Sequence, residues 1–418
     1  MNTDTRLDAR SAIEALRAGV PNRAAIRRLG TPDSPLVHDF ETRLRASRQA
    51  LRDDRPVDGI VIAGAFGAGK SHQLGYLAEC AGKGNFVVSL LPISKETPLF
   101  DPARLFAAAI RAAVVPDAND DVMTAAMHRL VEKLGRYDDL ELWTSGEVKS
   151  GRLSSMFAAL LWLIPKKSIE PDILARIARF FGGAKLSVTD VKRWLRETGA
   201  SKLFPLSPVR APELSLQRLR FAPRLLAAAG FEGWCILLDE VELIGRYSAM
   251  QRGKSYAELA RWLGMDEKNC VPGILTVAAI TEDFSNEMFD QKADDEKIPQ
   301  LLEQRGLAQQ AEMARKGIAR LKRQDHRLNA PGQSLLLKAL ETIRILYDDA
   351  YGWIPPDTEM TAPQATKFMR QYVRSWITTW DIQRLYRQET QIEVKKFEPD
   401  YSESDALEQS PDADEGNE

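Results

Sequence analysis

Eight consecutive residues of this 418-residue chain have the types and spacing to hold a polyphosphate. They are Gly64, Ala65, Phe66, Gly67, Ala68, Gly69, Lys70 and Ser71, in the pattern GxxxxGK(S/T). Glycines at 64, 67 and 69 let the backbone curl into a nest of N–H donors around a β-phosphate, and the dipole of a following helix adds to that attraction. Lys70 would reach the β- and γ-phosphates, and the Ser71 hydroxyl would coordinate Mg²⁺. The spacing predicts ATP and Mg²⁺ as ligands, with His72 beside them at the start of the helix.

A second group lies far along the chain. Residues 234–240, Trp-Cys-Ile-Leu-Leu-Asp-Glu, read as an apolar strand ending in two acids. Asp239 would hold the water shell of Mg²⁺, and Glu240 would polarise an attacking water as general base. An acid pair at a strand end can also cap the next helix, because carboxylates favour helix N-termini. With a phosphate loop in the same chain, hydrolysis is the expected chemistry. The apolar run 273–280 ends in Thr281, which would set that water against the γ-phosphate. Further on, 363–377 has helical spacing, with Lys367 and Arg370 on adjacent turns as lid residues for the γ-phosphate. Arg246, Arg261 and Arg305 are candidate arginine fingers for a neighbouring subunit.

These residues need elements to hold them. The short apolar run 60–63 predicts a strand before the glycine loop, and helical periodicity resumes near Lys70. Strand character recurs at 85–90, 233–238 and 273–280, in runs apolar enough for central strands covered on both faces. Helical patterns occupy 7–29, broken at 19–22, then 36–53, 102–115, 119–135, 151–164, 170–181, 187–197, 214–229, 298–350 and 362–388. The expected class is α/β: a P-loop NTPase core of the AAA+ type, with a parallel sheet, a large helical insertion and a C-terminal helical lid. The expected division is an N-terminal helical segment over 1–55 packing on the core, core halves at 56–115 and 231–297, the insertion at 116–230, the lid at 298–396 and an unpacked acidic tail at 397–418.

Composition narrows the class. A 44% apolar content suits a globular chain, and no apolar run approaches the ~20 residues of a membrane span. Cys80, Cys235 and Cys270 are far apart, without metal-ligand spacing, and suit a reducing compartment. A cytoplasmic protein without membrane attachment is expected. Nine of the 59 acids and none of the 57 bases fall in 397–418, so the rest carries a net charge near +7. Residues 166–202 hold nine bases against four acids, and 186–195 has the cadence of a helix after a turn. Such a face would give salt-dependent contact with DNA phosphates, or would be a solvated helical surface. The run 315–327 would line a pore or form an exposed helix.

Several stretches together resemble the BREX-associated ATP-binding proteins of bacterial phage-defence islands, a branch of P-loop ATPases close to AAA+ and origin-recognition-type proteins. They are AIEALRAGVPNRAAIRRLG at 12–30, GAFGAGKS at 64–71, ILLDEVELI at 236–244 and FMRQYVRSWITTWDIQRL at 368–385. The resemblance spans most of 10–390 and is loosest over 116–215. It implies that Gly19, Val20, Pro21 and Asn22 lie near the adenine. It also implies an ATPase working beside other defence-operon products, commonly a helicase, with DNA downstream; an ATP cycle that changes assembly, as a homo-oligomer, is the leading expectation. Lys367 departs from the arginine expected in the lid helix. A slow, ATP-bound switch or scaffold is the alternative role.

Overall fold

The computed structural model describes residues 3–387 except 21, 32, 117–120, 133, 167–169, 268, 270 and 357–367. Pro21, Lys367, Cys270 and the acidic tail lie outside the described residues. Six strands form one sheet: β1 (Ile60–Gly64), β2 (Val87–Pro92), β3 (Ala113–Val114), β4 (Trp234–Asp239), β5 (Ile274–Thr281) and β6 (His326–Leu328). Their spatial order is β3-β2-β4-β5-β1-β6. Every pairing is parallel except that of β3 with β2.

The four apolar runs become the middle of this sheet because both of their faces are covered. Ile60, Ile62, Cys235, Leu237, Leu275 and Val277 point into one core, filled from the other side by α3 (Ser34–Asp53) and α4 (Lys70–Lys83). The alternate residues Val61, Ala63, Trp234, Ile236, Leu238 and Ala278 point into a second, larger core. That core is shared with α5 (Pro102–Arg111), α6 (Val122–Glu132), α7 (Leu134–Lys149), α8 (Ser155–Leu163), α9 (Pro171–Phe181), α10 (Val188–Glu197) and α11 (Ala211–Ala228). It also takes in α12 (Ala249–Trp262), α13 (Asp294–Gln304) and α14 (Ala308–Arg323). The helices between β3 and β4 therefore share one apolar interior with a sheet face.

A third core joins the two ends of the described chain. Ala9, Ala12 and Ile13 of α1 (Thr3–Ala18) and Ala25 of α2 (Arg23–Leu29) pack with α15 (Gln333–Tyr351) and α16 (Met369–Tyr386). Arg17 bridges to Asp381 at 2.8 Å, and Asp381 also accepts from the Tyr347 hydroxyl at 2.8 Å. The N-terminal helices thus divide, α1 joining the C-terminal helices while α3 packs on the sheet.

Three local readings need correction. The helix expected over 102–115 ends at Arg111, and Ala113–Val114 turns back to pair with Val88 and Ser89 at the sheet edge. Between the patterns at 119–135 and 151–164 no element is expected, yet α7 runs there; its buried positions Tyr137, Leu140, Thr144 and Glu147 are half polar and give no clear apolar stripe. Finally, the helical reading of 298–350 is interrupted by β6, whose three residues are too few and too polar to announce a strand.

Candidate nucleotide site

All of the singled-out strand tips lie at one edge of the sheet. Gly64 at the end of β1 stands opposite Thr281 at the end of β5, and Glu282 N–H donates to the Gly64 carbonyl at 3.2 Å. Leu238, one residue before Asp239, stands opposite Ala278. Because β5 separates β1 from β4, its tip lies between the glycine loop and the acid pair. Ligands of open parallel sheets bind at this carboxyl edge.

The loop after β1 needs its glycines. Gly67 and Gly69 have φ of 82° and 99°, a region costly for other residues, and Gly69 leads into α4. A Cβ on Gly67 would also come within 3.3 Å of the Phe368 Cβ. Lys70, only 8% exposed, donates from Nζ to the carbonyls of Gly64 at 2.9 Å and Ala65 at 3.2 Å. Burial lowers its pKa, and the carboxylates of Glu242 and Asp239 oppose that shift.

Asp239 Oδ1 accepts from the Glu240 N–H at 2.9 Å, which ties the acid pair together. Glu240 holds a left-handed backbone at φ 56°, an outlier of the kind that clusters at functional sites. Desolvation first, then the charge of Asp239, raises its carboxyl pKa, against the pull of Arg370 and Lys70. A third acid, missed in the sequence, belongs to the same site. Glu242, in the 3-10 turn Val241–Arg246, lines the cavity, and its Oε2 is desolvated with no hydrogen-bond partner among the described residues. Burial pushes its carboxyl up to about 7. The doublet Asp-Glu drew notice in the sequence; a glutamate two residues on had no spacing rule to mark it.

The cavity has a volume of about 670 Å³, within the usual range of small-ligand sites. Phe66, Gly67, Ala68, Gly69, Lys70, Ser71 and His72 line it, together with Asp239, Glu240 and Arg370. Gly19, Val20 and Asn22 form its far wall, so the segment joining α1 to α2 reaches the same cavity. The Asn22 side chain is itself engaged: its Oδ1 caps α2 by accepting from Ala24 and Ala25 N–H at 2.9 and 3.2 Å. His72 donates from Nε2 to the Gly30 carbonyl at 2.7 Å, and burial lowers its pKa, which keeps the ring neutral. Gly64 and Ala65 contribute their carbonyls to Lys70 from behind the lining.

Thr281 is 1% exposed and stands beneath the loop, outside the lining residues. Arg370, by contrast, is brought to the centre. Its N–H donates to the Gly67 carbonyl at 3.3 Å, and its guanidinium lies 5.2 Å from the Phe66 ring centre. Its side chain also crosses Gly19, where a Cβ would meet it at 3.2 Å. Sequence reasoning missed one further wall, made by β6 and the start of α15, which brings Arg327 and Lys338 to the cavity.

Other sequence candidates are engaged elsewhere. Arg261 is held by Glu258 and by Asp266 at 3.3 Å, within its own fold. Bases of 315–327 pair with neighbouring acids: Arg315 with Glu303 at 2.7 Å, Arg320 and Arg323 with Asp325, and Lys322 with Asp295. In 166–202, Arg176 and Arg193 both meet Asp190, and Arg179, Lys185, Lys192 and Arg196 are exposed.

A mostly parallel α/β sheet, with a glycine loop, paired acids and Arg370 of α16 meeting at its carboxyl edge, defines a protein of the α/β class with a small-ligand cavity there. Within that class, residues 213–376 match the sequence profile of the family described as the BREX system ATP-binding protein BrxC/D. The matched stretch carries Asp239, Glu240, Thr281 and Arg370, and the glycine loop lies N-terminal to it. No curated protein and no solved structure matches the chain.

Proposed function

We propose that this chain binds ATP with Mg²⁺ in the 64–71 cavity and hydrolyses it as part of a BREX phage-defence system. The observation that carries the reading is the meeting of Lys70, Asp239, Glu240 and Arg370 around one cavity of about 670 Å³. The donor set suits Mg²⁺, which is held by few protein oxygens when substrate phosphates complete its shell. Ser71 and Asp239 would hold it, and when bound it neutralises phosphate charge. Lys70 would turn from the loop carbonyls to the β- and γ-phosphates. Glu240 would take a proton from the attacking water, and its raised pKa brings it nearer to a working base. Thr281 would act from below, at the one strand tip between loop and acids. Gly19, Val20 and Asn22 would face the adenine, and Arg370 would meet the γ-phosphate, with Lys367 just before it in sequence. On this reading the core would be a P-loop, AAA+-like one, with 116–230 as its accessory region.

The ATP cycle would change assembly and the grip on DNA or on defence-operon partners, including a helicase. A slow, ATP-bound switch is the second reading. It is favoured by Lys70 being occupied by the loop carbonyls and by Thr281 standing off the lining, so that turnover requires rearrangement. Phosphate release, measured with Mg²⁺ and with or without double-stranded DNA, separates the two. Lys70→Ala is expected to weaken ATP binding by about tenfold or more, as loss of charge-assisted hydrogen bonds should. Glu240→Gln should keep binding and lose turnover by about a hundredfold. Unchanged turnover in Glu240→Gln would remove Glu240 as the base.

A further inference from the structure

A second cleft opens at the opposite edge of the sheet, between α3, α7 and α11, with a volume of about 370 Å³. Arg48, Arg52, Arg136 and Arg224 surround it, with Trp143 and Leu140 as apolar wall. Glu232, also in its lining, lies just before the start of β4, whereas Asp239 ends that strand. Six residues of strand put about 20 Å between this cleft and the ATP cavity.

The charges are unevenly satisfied. Arg48 pairs with Glu232, and Arg224 with Asp54 at 2.8 Å. Arg52 makes no ion pair among the described residues, and Arg136 donates only a long bond of 3.4 Å to the Ala227 carbonyl. Asp139 is the other acid in the lining, so with Asp54 behind it four guanidiniums meet three carboxylates. The Arg224 Nε is desolvated and has no hydrogen-bond partner among the described residues, an arrangement that costs free energy unless something accepts from it. The Arg224 and Arg220 guanidiniums lie 5.0 and 5.9 Å from the Trp143 ring centre, and Glu147 holds Arg220 from behind.

We propose that this cleft binds a nucleotide phosphate. Arginine forks match phosphate oxygens bidentately, which lysine does not. The half-buried Trp143 indole, faced by the Arg224 guanidinium, adds an aromatic ring to the arginines, the combination used by sites that hold single strands. The volume is near the low end for small-ligand sites, enough for one nucleotide unit. Two sources share this chemistry: a free mononucleotide, or one unit of a single-stranded nucleic acid whose neighbours run over the rim. The site does not depend on the ATP reading.

The test uses the full chain with Lys70→Ala as background, so that the ATP cavity does not supply the signal. Binding of a fluorescein-labelled single-stranded octanucleotide is followed by anisotropy across a salt series, with and without competing UMP. Arg52→Glu combined with Arg136→Glu should weaken binding by more than tenfold. It should also flatten the log–log salt slope by about 1.4, for two phosphate contacts on a single strand. If that pair lowers the thermal midpoint, Arg52→Gln and Arg136→Gln singly carry the same test, each with about half the slope change. Competition by UMP assigns a free nucleotide, and its failure assigns the strand. Undetectable binding overturns the proposal. So does loss of binding in Lys192→Glu/Arg196→Glu on α10 while the Arg52/Arg136 variant binds normally.

Discussion

Glu242 and Glu240 are two residues apart, yet burial treats them differently. Glu240 sits at the cavity mouth, whereas the Glu242 carboxyl is raised from an ordinary 4.5 to about 7 by burial, with Lys70 opposing. The folded chain therefore holds a proton there that the unfolded chain releases. Stability from this group is present below about pH 4.5 and is lost as pH rises through about 7. Glu242→Gln should remove that loss, so its thermal midpoint should fall less between pH 5 and 8 than that of the unmodified chain. Parallel midpoint curves would show that Glu242 is ionised throughout. Glu242 was invisible in sequence because burial of a single carboxylate is a property of the packed site. Gly64 and Lys70 were legible because a glycine loop has a fixed local spacing, and Asp239 because it ends an apolar strand.

At the scale of elements, the cavity is closed by helices from both ends of the described chain. Arg370 reaches the glycine loop because α16 is anchored at its other end, by Trp380 packing on Tyr347 with ring centres 5.5 Å apart and by Asp381 bound to Arg17. Trp380→Ala should therefore cost about 3–5 kcal/mol in stability of the α1–α15–α16 core. It should also raise the ATP concentration needed for half-saturation, since Arg370 would lose its support. Denaturation curves with nucleotide titration check both; unaltered ATP affinity in a destabilised variant would mean that the lid helix does not bear on the site. Most strands and helices could be read from their periods. The helix α7 could not, because its buried stripe includes Glu147, made acceptable there by Arg152 and Arg220. Nor could β6, whose identity comes from pairing with β1 rather than from its own residues.

At the scale of the whole molecule, an arginine finger in trans would require neighbouring copies. Arg261 is engaged within its own fold, whereas Arg305 is exposed and Arg246 half-buried. Native mass with and without ATP and Mg²⁺ should show a larger species with nucleotide, and Arg305→Ala should lower turnover without lowering ATP affinity. A monomer in both conditions would favour the switch. Among the described residues no helix is long and apolar enough to cross a membrane.

By itself the sequence determined the local pattern: a glycine loop at 64–71, an acid pair at 239–240, and the strands that carry them. These depend on residue type at short spacing, which backbone geometry constrains directly. The tertiary structure decided which distant groups join them. Glu242 and Lys338 join Gly19 and Arg370 at one cavity only because β5 inserts between β1 and β4 and the two ends of the described chain pack together. Such long-range contacts arise from burying apolar faces across the whole chain, and no local pattern encodes them.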